Sequence, residues 1–432
     1  IKVRLSPNVR NRAAERAIHL ITQTLIMKPR TIHYLAVLTA IRLATLHAAD
    51  PVVSNVSAAQ RAGTKLVDIT FQVADADSDQ LDISVNVSDD AGLTFAVPSS
   101  ALSGDVSVNS TPTPTGKALV WDAGIDFNQQ FSTDMVVRVI ADDGTAAGPP
   151  PPGMKLIPAG VFTMGDGSSS ASDEKPEHAV YISAFYMDEF EVTFKLWKEV
   201  KAYADVNGYL FENAGQGKGA HHPVQTINWY DAIKWCNARS EMEGLSPVYH
   251  TTSAQTVVYR TGQTAIDNDT VKWTANGYRL PTEAEWEKAA RGGVAGGEYP
   301  WGNTIGSADA NYTNSGDPFD APDPETTPVG FYDGSQPIGP VLGRVDRANG
   351  YGLYDMAGNV YEWCWDIYLS TQYGTVGAMV ADTKGPNTTS GSRVLRGGSW
   401  VNVTTFLRCA NRSFSTSVVE DVVFGFRSAR GL

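Results

Sequence analysis

Arg393-Val394-Leu395-Arg396-Gly397-Gly398-Ser399-Trp400 is the stretch from which the fold of this chain is read. Two adjacent glycines reach backbone angles that a side chain would forbid, so Gly397-Gly398 makes a turn able to present Ser399 and Trp400 at a surface pocket. The residues that follow, Val401-Asn402-Val403-Thr404-Thr405-Phe406-Leu407-Arg408, contain no cysteine. Working outward, Gly425-Phe426-Arg427 closes the region, and Arg279-Leu280-Pro281-Thr282-Glu283-Ala284-Glu285-Trp286-Glu287 and Gly358-Asn359-Val360-Tyr361-Glu362-Trp363 precede it. Thr282 with Glu285 three residues later is a capping-box signature, which predicts a helix from Thr282 to Arg291. Two further helices are expected from Lys195 to Val206 and from Trp229 to Glu243. The alternating region from Pro247 to Trp273 reads as an inserted hairpin. From Gly292 onward, frequent Gly, Asn, Asp and Trp predict short strands and long ordered loops.

These blocks, in this order, resemble the formylglycine-generating enzyme (sulfatase-modifying factor) family over about residues 154–430. The resemblance implies an α+β domain of the C-type-lectin-like architecture. It also implies a pocket in which oxidising members carry two cysteines just after the Gly-Gly-Ser-aromatic turn. One forms a mixed disulfide with the substrate, and the pair holds copper, a soft ion suited to thiolates. Counted from the shared turn, the first cysteine falls on Asn402 and the second between Thr404 and Leu407, so no catalytic residue is assigned and copper is not expected. Cys409 aligns with a structural cysteine whose partner position holds Ala290, and the partner position of Cys236 holds Ser428. Neither family disulfide can form. What remains is a pocket frame of Ser399, Trp400, Asn402 and Arg412. Candidate ligand-binding residues are Trp363, Trp365, Trp400, Asn402, Thr404, Phe406 and Arg408. Arg396, Arg408 and Arg412 with the three tryptophans could hold an anionic or sugar ligand, although Arg396 reads better as a structural bond to carbonyls and acids.

The resemblance further implies structural calcium, bound by the oxygen set this ion prefers. Asp355 and Glu362, with the carbonyls of Gly358 and Val360, match one family site. Asn311, the Tyr312 carbonyl and Asp320 match the other. Another family branch couples this domain to a histidine-rich iron domain. Here residues 51–153 hold no histidine, and His221-His222-Pro223-Val224 matches a family packing element.

At 432 residues the chain has room for two or three domains. An apolar content of 42% with 19% charged residues is that of a folded protein. The net charge of -13 argues against nucleic-acid binding, since no basic stripe exists to neutralise phosphates. Residues 1–50 read as an upstream segment followed by a signal peptide from Met27, with a cleavage region at Leu46 to Asp50. No other apolar run approaches the ~18–20 residues of a membrane span. A secreted or periplasmic protein of bacterial type follows. Residues 51–146 read as an all-β immunoglobulin-like sandwich, with period-2 runs at Lys65–Val73, Leu81–Val87, Leu93–Val97, Lys117–Trp121 and Met135–Ile140. Asp75, Asp77, Asp79, Asp89 and Asp90 read as solvated turn acids, with calcium at the strand ends the alternative. Residues 147–153 form a Pro-rich linker, and residues 154–432 are the second domain. The functional expectation is a ligand-binding module without oxidase chemistry, its ligand a protein, a glycan or a small molecule. The alternatives are a formylglycine-generating oxidase and a cysteine-independent enzyme of the same family.

Overall fold

The computed structural model describes residues 2–3, 51–75, 80–89, 97–109, 111, 113–127, 135–142, 150–319, 325–335 and 345–432. The signal-peptide segment, most of the Leu93–Val97 run, Asp77, Asp79, Asp90 and Asp320 lie outside those residues. Contacts divide the chain into two units, the main body of one ending at Gly148 and that of the other running from Pro149 to Leu432.

The first unit is antiparallel β structure. One sheet has the order β2 (Val52–Gln60), β3 (Leu66–Ala74), β7 (Thr115–Asp122), β5 (Leu102–Gly104). A second has the order β1 (Lys2–Val3), β8 (Val136–Asp142), β4 (Gln80–Ser88), β6 (Ser107–Asn109). The alternation read from sequence sets which face is covered: Val67, Ile69, Phe71 and Val73 of β3 and Leu81, Ile83, Val85 and Val87 of β4 are all buried. The one-turn helix α1 (Ala123–Asp126) follows β7, and its Asp126 accepts a hydrogen bond from the Trp121 indole at 2.9 Å. Strand β2 carries no clean alternation because its register against β3 shifts between Ser54 and Ser57, where Asn55 takes a positive φ of 51°.

The second unit mixes helices and small sheets. Strands β9 (Met154–Ile157) and β17 (Ala429–Gly431) flank β12 (Phe185–Asp188), while β10 (Gly160–Met164) and β11 (His178–Ile182) form a separate hairpin. A four-stranded sheet has the order β15 (Ser413–Ser415), β14 (Arg393–Arg396), β13 (Tyr361–Ile367), β16 (Phe424–Gly425). All seven residues of β13 are buried, Glu362 and Asp366 among them, so the strand is covered on both faces.

Helices α2 (Phe194–Val206), α3 (Trp229–Met242) and α4 (Glu283–Ala290) fall where the sequence places them. Thr193 caps α2, and reciprocal capping boxes start α3 (Asn228 with Asp231) and α4 (Thr282 with Glu285). The tryptophans form the core: Trp197 stacks on Trp235 with centroids 6.1 Å apart, and Trp365 packs against Trp229 and Tyr249 at 5.4 Å each.

The hairpin expected between Pro247 and Trp273 is not a hairpin. Only the isolated bridges Tyr249 to Val271 and His250 to Val258 occur there. Short backbone pairing remains, from the Tyr259 amide to the Tyr249 carbonyl at 3.0 Å and from the Thr251 amide to the Val257 carbonyl at 2.9 Å. The buried side chain of Asn237 supplements it, donating to the Tyr249 and Tyr259 carbonyls at 2.9 and 3.2 Å and accepting from the Val248 and Tyr249 amides at 3.1 and 3.0 Å. Among the described residues no helix is long and apolar enough to cross a membrane.

Candidate functional site

Strands β13 and β14 pair with Glu362 opposite Arg396 and Trp363 opposite Leu395. The chain then turns through Gly397 and Gly398, at φ 88° and 71°. A Cβ on Gly398 would sit 2.8 Å from Leu407 Cδ1, so the turn needs glycine for space as well as for backbone angle. Gly398→Ala is therefore expected to destabilise the domain by ~1–3 kcal/mol, read as a fall in thermal midpoint.

Asn402, where the family resemblance places the first cysteine, closes the turn. Its Oδ1 accepts from the Ser399 amide at 2.9 Å and from the Ser399 hydroxyl at 2.7 Å, while its amide donates to the Ser399 carbonyl at 2.9 Å. Asn402 and Ser399 hold the turn through one another. The loop after it forms a 3-10 turn from Thr404 to Leu407, anchored by the buried Leu407. Burial raises the pKa of the Tyr361 hydroxyl, and the neighbouring Ser413 and Asn402 side chains oppose it.

The expected pocket residues separate in the structure. Trp363 and Trp365 are wholly buried in the aromatic core and present no surface to a ligand. They belong to the continuously buried strand β13, whose sequence pattern resembles a run of pocket aromatics. Trp400 is half-buried against that core, and its indole N–H has no hydrogen-bond partner. The arginines are consumed by structure. Arg396 donates to the carbonyls of Cys409 and Ala410, at 3.0 Å each, and pairs with Glu287. Arg412 makes a two-point pair with Glu283 at 2.7 and 2.8 Å and donates to the Asp173 carbonyl at 2.9 Å. Arg408, half-buried, pairs with Glu174 at 2.7 and 2.8 Å and with Asp166 at 3.1 Å. The arginine-lined pocket for an anion is thus corrected: the guanidinium groups are engaged by carboxylates that sequence spacing could not reveal.

The two C-terminal loops instead expose apolar side chains. Val401, Val403, Phe406, Phe414, Val418, Val419 and Val422 are 40–53% exposed. Thr404 lies between them on the same surface loop.

All three cysteines are free and buried. Burial pushes the Cys409 thiol up to about 12, Arg291 only partly opposing it. Where Cys236 lacks its disulfide partner, a polar network stands instead: the Ser428 hydroxyl donates to Asp188 at 2.6 Å and accepts from Arg239 at 2.9 Å. Cys409 and Ala290 are both buried in one apolar cluster, so packing replaces the other bridge.

The calcium positions divide as well. Asn311 Nδ2 donates to the Glu325 carbonyl at 2.8 Å, leaving its buried Oδ1 with no partner. Thr327 Oγ1 is a second buried oxygen without a partner, and the two residues flank Asn359, which donates its amide to the Asn311 carbonyl and accepts from the Thr327 amide. The Tyr312 carbonyl accepts from Ser315 at 2.9 Å. An orphaned buried carbonyl oxygen is a donor type that suits calcium. Asp320, the carboxylate that the resemblance assigns here, lies outside the described residues, and among the described residues no group of three or more His, Cys, Asp or Glu side chains could hold a metal ion.

The other site does not fit as expected. Glu362 accepts from Arg427 at 2.8–2.9 Å and from the Trp286 indole at 2.8 Å, which occupies both of its oxygens. Asp355 accepts from the Gly330 amide at 2.6 Å and sits at a positive φ of 56°, with Gly358 at 86°. Both residues shape the turn that carries Val360, whose amide donates to Glu191 at 3.1 Å. Glu191 was missed from sequence. It is buried and far from Asp355 in the chain, and burial together with the neighbouring Asp355 carboxylate pushes its pKa well up. His222 of the packing element rests its Nδ1 3.0 Å from the Thr326 hydroxyl and its ring edge-on to Phe319.

A family model, the sulfatase-modifying factor enzyme 1-like domain (FGE-sulfatase), matches residues 141–432. The chain belongs to the sulfatase-modifying-factor family. A formylglycine-generating enzyme of Streptomyces coelicolor is 32% identical over 67% of this chain and 93% of its own length. The chaperone protein LppX of Paenibacillus barcinonensis is 33% identical over 57% of this chain and 78% of that protein. Among solved structures, Treponema denticola variable protein 1 is 30% identical, covering 65% of this chain and 95% of its own, with a TM-score of 0.49. Family membership fixes the scaffold and the order of its blocks. Relatives bearing names as different as an oxidase and a chaperone leave the activity to the site itself.

Proposed function

We propose that residues 154–432 form a recognition module that presents the loops Val401 to Leu407 and Ser413 to Phe424 to a ligand, without cysteine oxidation. The observation that carries this reading is the set of exposed apolar side chains, Val401 through Val422, mounted on a frame whose polar groups are bonded inward. Exposed apolar side chains gathered on two loops of a well-packed domain suit an interaction site. The chemistry that an oxidase needs is unsupported: Asn402 serves as a turn closure, and Cys409 is buried with its thiol held protonated at neutral pH. The all-β region fits an immunoglobulin-like sandwich serving as a spacer or attachment unit. The leader read at Met27 and the absence of a membrane-crossing helix among the described residues support a secreted or periplasmic location.

Two measurements test the reading. Wild type and Cys409→Ser, incubated with a sulfatase-motif cysteine peptide, copper and oxygen, are expected to yield no aldehyde; aldehyde from wild type alone would make Cys409 catalytic and defeat the proposal. Val403→Ser and Val419→Ser are expected to change stability by less than about 0.5 kcal/mol, as surface display requires. A bound ligand at a hundredfold excess over its dissociation constant would add ~2.7 kcal/mol to wild type, and these variants would lose that gain. A large destabilisation by either substitution would show that the loops serve the core.

We further propose structural calcium at Asn311 Oδ1, with the Tyr312 carbonyl and Asp320 as the other ligands that the family resemblance implies. Such an ion would neutralise local charge and pin the loop before Asn359; its role there is structural. Millimolar calcium is expected to raise the thermal midpoint of wild type and to leave that of Asn311→Ala unchanged. A midpoint insensitive to calcium and to chelator in wild type would remove the ion from the account.

A further inference from the structure

The loop after β10, the turn before Tyr299 and the segment at Arg408–Ala410 enclose a cavity of 380 Å³. Asp166, Glu177, Arg291, Glu298, Asn303 and Arg408 supply its charged and polar lining. Part of the wall is glycine, and a Cβ at Gly296 would meet nothing within 4 Å, so the space is open there. A volume of this size lies in the range of small-ligand sites.

The state of each polar group decides which charge the cavity takes. Arg291 donates to Glu287 at 2.6 and 3.0 Å, to the Gly165 carbonyl at 2.8 Å and to the Gly297 carbonyl at 3.1 Å. Arg408 is spent on Glu174, Asp166 and the Thr405 carbonyl. Asp166 Oδ1 accepts from the Ser168 amide and hydroxyl at 2.8 and 2.6 Å. An entering anion would therefore find both guanidinium groups already engaged. The carboxylates outside any ion pair are Glu177 and Glu298, both exposed and neither within ion-pair distance of a cation among the described residues, although Glu298 acts on Arg408 through its charge. Asn303 Oδ1 accepts from the Glu298 amide at 3.1 Å, which holds that carboxylate's backbone at the rim.

We propose that this cavity binds a cationic amine, an ammonium or guanidinium group held between the Glu177 and Glu298 carboxylates above the saturated floor. The site is separate from the display loops except for Arg408, and it stands or falls without them. The group can arrive on a free diamine or on a basic side chain of another protein, and the same carboxylates would receive either.

The test is calorimetric titration of the full chain with putrescine and, separately, with a terminally blocked Gly-Lys-Gly peptide. Glu177→Gln/Glu298→Gln is expected to weaken binding by about tenfold or more, the effect of losing roughly 1.4 kcal/mol of charge pairing. Because both residues are exposed, the variant's thermal midpoint should match wild type. The control Glu199→Gln/Asp205→Asn removes the same formal charge from exposed positions on α2, outside both the cavity and the display loops, and is expected to bind like wild type. Tighter binding of the diamine identifies a free polyamine as the source, and tighter binding of the peptide identifies a protein side chain. Absence of binding by both probes overturns the proposal. So does binding that the rim pair leaves unchanged, or that the control weakens equally, because general attraction to an acidic protein would then explain it.

Discussion

Arg427→Met is expected to destabilise the second unit by ~3–5 kcal/mol, enough to leave it largely unfolded at 37 °C if its total stability is ordinary. Arg427 is wholly buried and chelates Glu362 with three contacts of 2.8–2.9 Å. It also donates to the carbonyls of Asp188 at 3.2 Å, Glu189 at 3.3 Å and Tyr354 at 2.9 Å, so one side chain joins β13 to β12 and to the loop before Asp355. Methionine fills comparable volume but leaves the Glu362 carboxylate charged, buried and held only by the Trp286 indole. The penalty is the uncompensated charge rather than a cavity. The double variant Arg427→Met/Glu362→Gln should therefore recover much of the loss, as replacing both members of a buried pair often does. Urea unfolding of the two variants checks this. Equal destabilisation in both would mean that the carbonyl contacts, and not the ion pair, hold the strands.

Much of the fold was legible because local chemistry and global structure agree. Thr282 and Glu285 announce α4, and the alternation of β3 and β4 announces which face of each strand is buried. The legible part of the site was the turn, since Gly397-Gly398 and Asn402 are neighbours in sequence. What could not be read was any pairing between distant charges. Arg412 meets Glu283 across 129 residues and Arg408 meets Glu174 across 234, and no periodicity encodes such separations. Arginines that look available in sequence are thus spent in the folded chain. The same limit hid Asn237, whose side chain binds the backbone of the segment from Val248 to Tyr259, and Glu191, which enters the Asp355 neighbourhood from far upstream. Trp363 and Trp365 show the converse. Their aromatic character was visible, but only the full burial of β13 determines that they serve the core.

The second large effect is a gain. Asp366→Asn is expected to stabilise the protein at pH 8 by a few kcal/mol and to flatten its stability between about pH 4 and pH 7. Asp366 is buried at the end of β13, and its Oδ2 accepts from the Glu283 amide at 2.7 Å, at the start of α4. Burial, and then the neighbouring Glu283 carboxylate, raise its pKa from 3.8 to about 7, outweighing the favourable pull of the Glu283 amide and of Arg412. The sign follows from proton counting. With a folded value above the unfolded one, the native state binds more protons in the interval between them. The contribution is therefore fully present below about 3.8 and is lost as the pH rises through about 7. Asparagine keeps an oxygen to accept the Glu283 amide and carries no charge to desolvate, so it should hold the helix start at every pH. Nearby Glu287 moves in the opposite direction. Although burial opposes it, pairing with Arg291 and Arg396 lowers its pKa, so its contribution is present above the ordinary carboxylate value and is lost in acid. Wild type should accordingly weaken on both sides of a mildly acidic optimum, and Asp366→Asn should weaken less on the alkaline side, where the raised carboxyls of Glu191 and Asp355 still lose their contribution. Urea midpoints from pH 4 to pH 8 decide the matter: parallel curves for the two proteins would show that Asp366 does not titrate in that interval.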